Sequence, residues 1–444
     1  MAAREREAED AAGREEAPPP EGGRTPEAPQ RKHSRRFRAM AVLLVLAFVA
    51  LQFWPFLTAR RARYVFTRLP HVEGAAAAPG RVDLRPADIR AADSIVVREV
   101  RRETFPGAVL AVGQGGTRVL EAGYGRVGWT RLALPADPTR TLYDLSSLTK
   151  VMATTTAVML LVDEGKMRLD DPIAKWLPAF RGGGREKVTV AQVLSHTSGL
   201  PAGRKVEGGS ARERINNLVA TVPLVDDPGA GVIYSDVGFI ILFEAASRAA
   251  GEPLPDYLRR KVWTPLGMTA TRYQPGIFCG LCAPTLSLRD GRPFAGKTND
   301  PQGRELGGVV GNAGLFSTAH DVGRFAAMIA NRGELDGVRV LKPETIDLFT
   351  RPRKGTRALG FEWFCREGTV PYEKPCKEPF AFGHTGYTGT SIWIDPASRA
   401  WVVLLSNRTY LPRAPADRMR IVRRRLFETV TGQRDTTEKR SPKS

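Results

Sequence analysis

The sequence predicts an α+β fold, with one antiparallel sheet drawn from N- and C-terminal parts of the chain, flanking helices, and a helical subdomain between the two parts. Three observations carry this expectation. Segments 108–112 and 117–121 alternate as short strands about the turn Gly113-Gln-Gly-Gly116. A loop and strand at 380–395 and a second strand at 401–405 lie near the other end, around the turn 395–399. Between them the apolar residues recur with helical period.

At 444 residues the chain is long enough for a large core. Residues 86–432 form the expected catalytic domain, in the upper size range for one unit. The formal charge is +19, from 66 Lys and Arg against 47 Asp and Glu. The basic residues are mostly arginines scattered among Ala, Gly and Pro, and no basic helix carries interleaved aromatics, so nucleic acid is not an expected partner. A diffuse positive surface instead bears on solubility and on attraction to anionic polymers.

Residues 1–38 have the Glu-, Ala-, Pro- and Arg-rich composition of a disordered tail. Residues 39–58 are uncharged and about long enough to span a membrane. Arg31, Lys32, Arg35, Arg36 and Arg38 precede that run, while Arg60, Arg61 and Arg63 follow it. This bias favours a cytoplasmic N-terminus. The long preceding tail, and the lack of a small-x-small site close behind, argue against a cleaved signal peptide. The expectation is a single-pass anchor in the inner membrane, with the catalytic domain periplasmic or extracellular. A linker at 59–85 and a disordered tail at 433–444 complete the organisation. Four cysteines suit an oxidising compartment. Cys365 and Cys376 flank a loop that a disulfide would staple, and Cys279 and Cys282 would close a tight one; three connectivities are open, and a four-thiolate zinc site is the less suitable alternative.

Taken in order, Pro86 to Arg102 places Ile89, Ala92, Ile95, Val96 and Val100 at helical spacing, and Phe105-Pro-Gly107 breaks it before the hairpin. Tyr143 to Val162 reads as one long buried helix with a reactive entrance. A short helix at 173–177 follows, then one at 188–194 that ends with Gly199 placed for positive φ. His196, at that helix end, is expected to cap or to hydrogen-bond within the core. Pro228 to Phe239 is a turn entering a helix that continues to Ser247, which leaves Tyr234 on the loop just before it. Four glycines within 307–314 require a sharp turn or a close backbone approach. Thr318 with Asp321 marks another helix start, and Ala416 to Val430 is an amphipathic helix.

The chemistry starts at Ser147 and Lys150, one helical turn apart, where the amine reaches the hydroxyl and the helix N-terminus favours developing negative charge. Such a pair is a plausible activated nucleophile, yet it recurs by chance and needs partners. Those partners follow in order as Tyr234-Ser-Asp236 and His384-Thr-Gly386. With these three motifs, Leu194-Ser-His-Thr-Ser-Gly-Leu200 and Asn312 to Thr318, the chain from Pro86 to Val430 resembles the serine β-lactamase and penicillin-binding-protein superfamily, in its class C β-lactamase, D-alanyl-D-alanine carboxypeptidase and esterase branch.

That resemblance implies a β-lactamase/transpeptidase-like fold and a serine hydrolase that needs neither cofactor nor metal. Ser147 would attack a carbonyl and form an acyl-enzyme, with Lys150 and Tyr234 handling its proton. Backbone amides of Ser147 and Tyr387 would form the oxyanion hole. Asp236, His384, Thr385 and Gly386 would bind a small-molecule or peptidoglycan-derived substrate. Two departures from the family's pattern weaken recognition of a carboxylate: Asp236 replaces an asparagine, and His384 replaces a lysine by a group that ordinarily titrates near pH 6 to 7. An esterase or D-Ala-D-Ala carboxypeptidase-like activity with weak β-lactamase activity is therefore expected. The alternative is a non-catalytic envelope protein that uses the same fold to bind peptidoglycan or a partner.

Overall fold

A computed structural model describes residues 83–433, except 289–292, 368–369 and 372, together with 40, 42–44 and 46. The chain divides into two compact units, Met1–Thr58 and Ala59–Ser444. The first unit is described only at its few helical positions. Both predicted tails, the predicted linker and most of the predicted anchor lie outside the described residues, apart from the positions just given and 83–85 and 433. Among the described residues no helix is long and apolar enough to cross a membrane. The expected inner-membrane location and single-pass anchoring are therefore corrected. In the sequence, the unbroken apolar run extends only from Ala39 to Leu51 before Gln52 and Pro55 interrupt it, short of the ~20 residues a spanning helix needs.

In the second unit, α1 (Pro86–Arg101) leads into β1 (Gly107–Gln114) and β2 (Thr117–Gly125), then β3 (Tyr143–Asp144). A π-helical turn, Lys150–Thr155, runs directly into α2 (Thr156–Asp163), and α3 (Val190–Leu194) and α4 (Asp236–Ala250) follow. After these come β4 (Arg272–Tyr273), β5 (Leu315–Ser317), α5 (Ala319–Ala330), β6 (Glu362–Cys365), β7 (Pro379–Thr385), β8 (Ser391–Ile394), β9 (Ala400–Ser406) and α6 (Arg418–Val430). The main sheet has the order β6-β7-β8-β9-β1-β2, with antiparallel neighbours throughout. The N-terminal hairpin thus pairs with the C-terminal strands, Ala108 opposite Ser406 and Gln114 opposite Ala400. This is the predicted α+β arrangement, one antiparallel sheet built from both ends of the folded unit.

Both faces of the central strands are covered. Ala108, Leu110 and Val112 pack with Ile95 and Val96 of α1 and Val422, Leu426 and Phe427 of α6. Val109 and Ala111 point the other way, into a core shared with Val322, Phe325 and Ala326 of α5 and with α2 and α4. Period-2 alternation therefore sends apolar side chains to both sides, and each layer is sealed by the hydrophobic effect rather than by water. Thr318 caps α5 by accepting from the Asp321 amide at 3.2 Å. The Asp321 carboxylate turns away to accept from Ala270 N, Thr271 N and Thr271 Oγ1, so it ties α5 to the chain entering β4 rather than closing a capping box.

The long helix predicted from Tyr143 differs in two ways. Tyr143–Asp144 is a strand, paired with Ser317 and Phe316 of β5. The helix then starts at Leu148 and is π-wound from Lys150 to Thr155, with Thr156 Oγ1 donating to the Val151 carbonyl at 2.8 Å. A β-branched run weakens the α preference, and buried residues on every side leave no periodic signal that separates the two windings. Both disulfides, Cys279–Cys282 and Cys365–Cys376, are formed, so the four sulfurs are not available as a zinc site.

Candidate active site

From Thr141 to Lys150 every residue is buried except Ser147. The turn that presents it is strained. Ser146 adopts φ +50, a left-handed conformation that costs a side-chain-bearing residue of order 1–2 kcal/mol. Surrounding hydrogen bonds hold it there. Asp144 Oδ1 accepts from Ser146 N at 2.9 Å, and the Asp144 and Leu145 carbonyls accept from Thr388 Oγ1 and Thr390 Oγ1 at 2.7 and 2.9 Å. Gly386 packs against the same turn: a Cβ there would meet Leu145 O at 2.5 Å and Thr390 Oγ1 at 2.0 Å. Only glycine lets the end of β7 approach the serine turn this closely.

Asp144 makes the turn pH-dependent. Burial pushes its carboxyl up to about 6, against the opposing pull of the Asn299 and Ser146 amides, and the nearby Asp300 charge pushes the same way. The folded-state value lies above the unfolded one, so the native state binds this proton more tightly. Its contribution favours folding at low pH and is lost as pH rises from about 4 to about 6, of order 3 kcal/mol. Asp144→Asn is expected to lack that part of the pH slope. Urea unfolding of both proteins at pH 4, 5, 6 and 7 checks it, and identical slopes would contradict the assignment.

Lys150 is completely buried. Its amine donates to Ser147 Oγ at 3.2 Å, Asp236 Oδ1 at 2.5 Å and the Asn312 carbonyl at 3.1 Å. An ammonium has three N–H donors, and all three are spent. Burial alone would lower its pKa, but the Asp236 carboxylate and the Tyr234 phenol outweigh that and hold the amine above its ordinary range. Lys150 is therefore a fixed cation. Asn312 reaches it because Gly311 lets the chain pass close to α4: a Cβ there would meet Phe239 O at 2.2 Å. The close approach expected of the glycine-rich segment is thus located, although its role in holding Lys150 is not written in the local sequence.

Tyr234 lies on the loop before α4, as the sequence indicates, with its ring centroid 4.8 Å from Lys150 Nζ. His196 fastens that loop from both sides. Its carbonyl accepts from Ile233 N at 2.8 Å and its Nδ1 from Ser235 N at 3.0 Å, while the rings of His196 and Tyr234 lie 4.5 Å apart. His196 is the expected hydrogen-bonded core residue. It also takes positive φ at +59, ahead of Gly199, which does so as well at +73. Ser235 Oγ then accepts from Gly238 N and caps α4. Arg357, which carries no motif, is buried with its guanidinium 5.2 Å from the Tyr234 ring and 3.7 Å from Glu362. Two cations thus neighbour the tyrosine.

His384 departs from expectation. It is buried on β7, and burial together with the charges of Lys150 and Arg357 holds its pKa well below the usual histidine value. It does not titrate near pH 6 to 7 but stays neutral. Its Nδ1 lies 2.8 Å from the Thr385 carbonyl, which can only accept, so Nδ1 carries the proton. Thr385 follows at the end of β7, opposite Ser391 of β8. Tyr387, just beyond, donates its amide to Ser146 Oγ at 3.1 Å, and its exposed ring lies 5.0 Å from Arg408. The amide expected to serve an oxyanion hole is thus beside the Ser146–Ser147 turn and engaged by a neighbouring hydroxyl.

The folded unit therefore brings all three sequence motifs onto one cluster, in which Ser147, Tyr234, Asp236 and Thr385 are partly exposed while Lys150 and His384 are buried. A family model described as Beta-lactamase matches residues 92–425. An N-acetylmuramyl-L-alanine amidase of Bacillus subtilis (strain 168) is 32% identical over 362 residues, spanning 73% of this chain and 82% of that protein. A Salmonella schwarzengrund (strain CVM19633) protein, named as a candidate D-alanyl-D-alanine carboxypeptidase, is 31% identical over 321 residues, spanning 65% of this chain and 74% of its own length. The solved structure of a family VIII carboxylesterase superposes with a TM-score of 0.64 at 22% identity, over 79% of this chain and 98% of that one, a likeness of fold. The chain is an enzyme of serine-hydrolase type. It belongs to the Beta-lactamase family.

Proposed function

We propose that residues 86–432 hydrolyse an ester or amide through an acyl-enzyme on Ser147, with small-molecule or peptidoglycan-derived substrates. The observation that carries this reading is the accessible Ser147 hydroxyl 3.2 Å from a buried, fully engaged Lys150 ammonium. Because Lys150 donates to Ser147 Oγ and has no lone pair to offer, it cannot take the serine proton. Tyr234 is the acceptor we assign, its ring 4.8 Å from Lys150 Nζ and 5.2 Å from the Arg357 guanidinium. Lys150 then stabilises both the phenolate and the nucleophile.

In the proposed sequence Oγ bonds to the substrate carbonyl carbon, the carbonyl electrons move to oxygen, and the amides of Ser147 and Tyr387 receive that oxyanion. Tyr387 N–H exchanges Ser146 Oγ for it. Collapse expels the alcohol or amine, which takes the proton back from Tyr234. Water repeats the sequence to release the acid. Names of relatives as an amidase and a candidate carboxypeptidase support amide and D-alanyl substrates, and the carboxylesterase fold supports esters.

A neutral His384 and an anionic Asp236 leave this part of the site without a fixed charge to receive a β-lactam carboxylate. In a panel of p-nitrophenyl esters, D-Ala-D-Ala peptides and a chromogenic cephalosporin, the cephalosporin is expected to be the poorest by about a hundredfold in kcat/KM. A cephalosporin turned over as well as the best ester or peptide would contradict the reading.

A further inference from the structure

The loop joining β7 to β8 carries the Tyr387 amide, and groups outside α6 already hold its shape. Gly386 N donates to Thr390 O at 2.8 Å and Gly389 N to Gly386 O at 3.1 Å. Thr388 and Thr390 fasten the loop to the serine turn through their hydroxyls. Arg408 packs against it: its amide donates to Thr388 O at 3.0 Å, its guanidinium lies 5.0 Å from the Tyr387 ring, and a Cβ at Gly389 would meet its Cγ at 3.2 Å.

Arg423 of α6 adds a bond of a different kind. Its Nη2 donates to the Gly386 carbonyl at 2.7 Å and to the Thr390 carbonyl at 2.9 Å. Gly386 C=O and Tyr387 N–H belong to one planar peptide unit, so a charged donor on the oxygen draws electron density from the nitrogen and makes its N–H a stronger donor. Arg423 does this at a cost to the fold. Its Nε is buried and has no hydrogen-bond partner among the described residues. Burial, and next the Arg408 charge, disfavour its cation; Glu362 favours it by charge alone, and that carboxylate lies 3.7 Å from Arg357. A cation with so little compensation is destabilising, and because the loop is already held by other groups, shape alone does not account for it.

We propose that Arg423 is a positioning residue for acyl transfer: through the Gly386 carbonyl it fixes and polarises the peptide unit whose Tyr387 N–H receives the oxyanion. This rests on the proposed acyl-enzyme at Ser147. The proton stays on Arg423 throughout. What changes is the Tyr387 N–H, which leaves Ser146 Oγ for the oxyanion and bonds more strongly as negative charge accumulates there. A whole oxyanion donor is worth about 10²–10³ in kcat, and strengthening one donor is worth a fraction of that, about tenfold. The effect belongs to the transition state, since a neutral ground-state carbonyl gains little from it.

The full chain carrying Arg423→Met tests it on the best p-nitrophenyl ester. Its kcat is expected to fall about tenfold while KM stays within about twofold, and Arg423→Lys, which keeps a charged donor, to retain at least about a third of the original kcat. Phenylboronic acid, whose boron takes the Ser147 Oγ electron pair to give a tetrahedral anion, is expected to bind about tenfold more weakly to Arg423→Met, while ester binding in the Ser147→Ala background is unaffected by the same change. An unchanged kcat in Arg423→Met overturns the inference, and so does an equal weakening of ester and boronate, the mark of a displaced loop. If the methionine variant does not fold, Arg423→Lys decides: a lysine variant with an unchanged melting profile that loses more than about tenfold in kcat overturns it as well. Loss of the acyl-enzyme reading would show separately, as failure of the unsubstituted enzyme to become labelled at Ser147.

Discussion

Replacing Ser147 by alanine is expected to lower kcat/KM on the best ester or amide substrate by about 10⁵-fold, to the level left by binding and the oxyanion amides alone. No neighbour can substitute. Ser146 is buried, held at φ +50, and its hydroxyl accepts from the Tyr387 amide, so its Oγ faces the loop that would stabilise the transition state. Thr149 Oγ1 is likewise committed, accepting from Leu315 N at 3.2 Å. Because Ser147 is only partly buried, stability should change by no more than about 0.5 kcal/mol. Progress curves with enzyme in excess, beside a urea titration, separate the two effects; a fall of less than tenfold would remove Ser147 from the chemistry.

Lys150→Met should produce the next largest effect, a loss of about 10³–10⁴ in kcat/KM. Three acceptors lose their donor at once, and Tyr234 loses the nearer of its two cations. Removing one partner of a buried pair typically costs 3–5 kcal/mol, but Asp236 is one-third exposed and water relieves it, so a deficit of about 2 kcal/mol is expected. The Lys150 pKa is raised above its unfolded value. Its stabilisation is therefore fully present below the unfolded pKa and is lost only as pH rises through the higher folded one. The deficit of Lys150→Met should stay constant from pH 6 to 9 and shrink only in stronger alkali. Adding Asp236→Asn should recover part of the stability and none of the activity, a coupling that a double-mutant cycle measures directly.

Much of this architecture was legible in the residues, for reasons that separate local from distant physics. The hairpin at Gly113, the amphipathic α1 and α6, and the helix following Tyr234 are set by local periodicity and turn chemistry. Structure confirms each, with β1 and β2 extending beyond their predicted limits. The positive φ of Ser146 left no trace, because a serine in a strained turn looks like any other serine. Nor could sequence disclose that Asp236 meets Lys150 across 86 positions, that Asn312 completes the lysine's coordination, or that His196 fastens both sides of the Tyr234 loop.

The same limit explains the errors. His384 looked like a titrating group because a histidine pKa is read from its type, whereas burial and the charges of Lys150 and Arg357 decide it. Arg357 was missed because nothing in Gly355-Thr-Arg-Ala-Leu-Gly360 marks it as a neighbour of Tyr234. The membrane anchor rests on an uncharged run and its flanking charges, and among the described residues no helix is long and apolar enough to span a membrane.

The central claim is that Ser147 is the nucleophile. The most direct measurement is peptide mapping by mass spectrometry after reaction of the whole chain with an alkyl fluorophosphonate. A single adduct on Ser147 and an unlabelled Ser147→Ala protein are expected. An adduct on Ser146, or labelling that persists in Ser147→Ala, would contradict it.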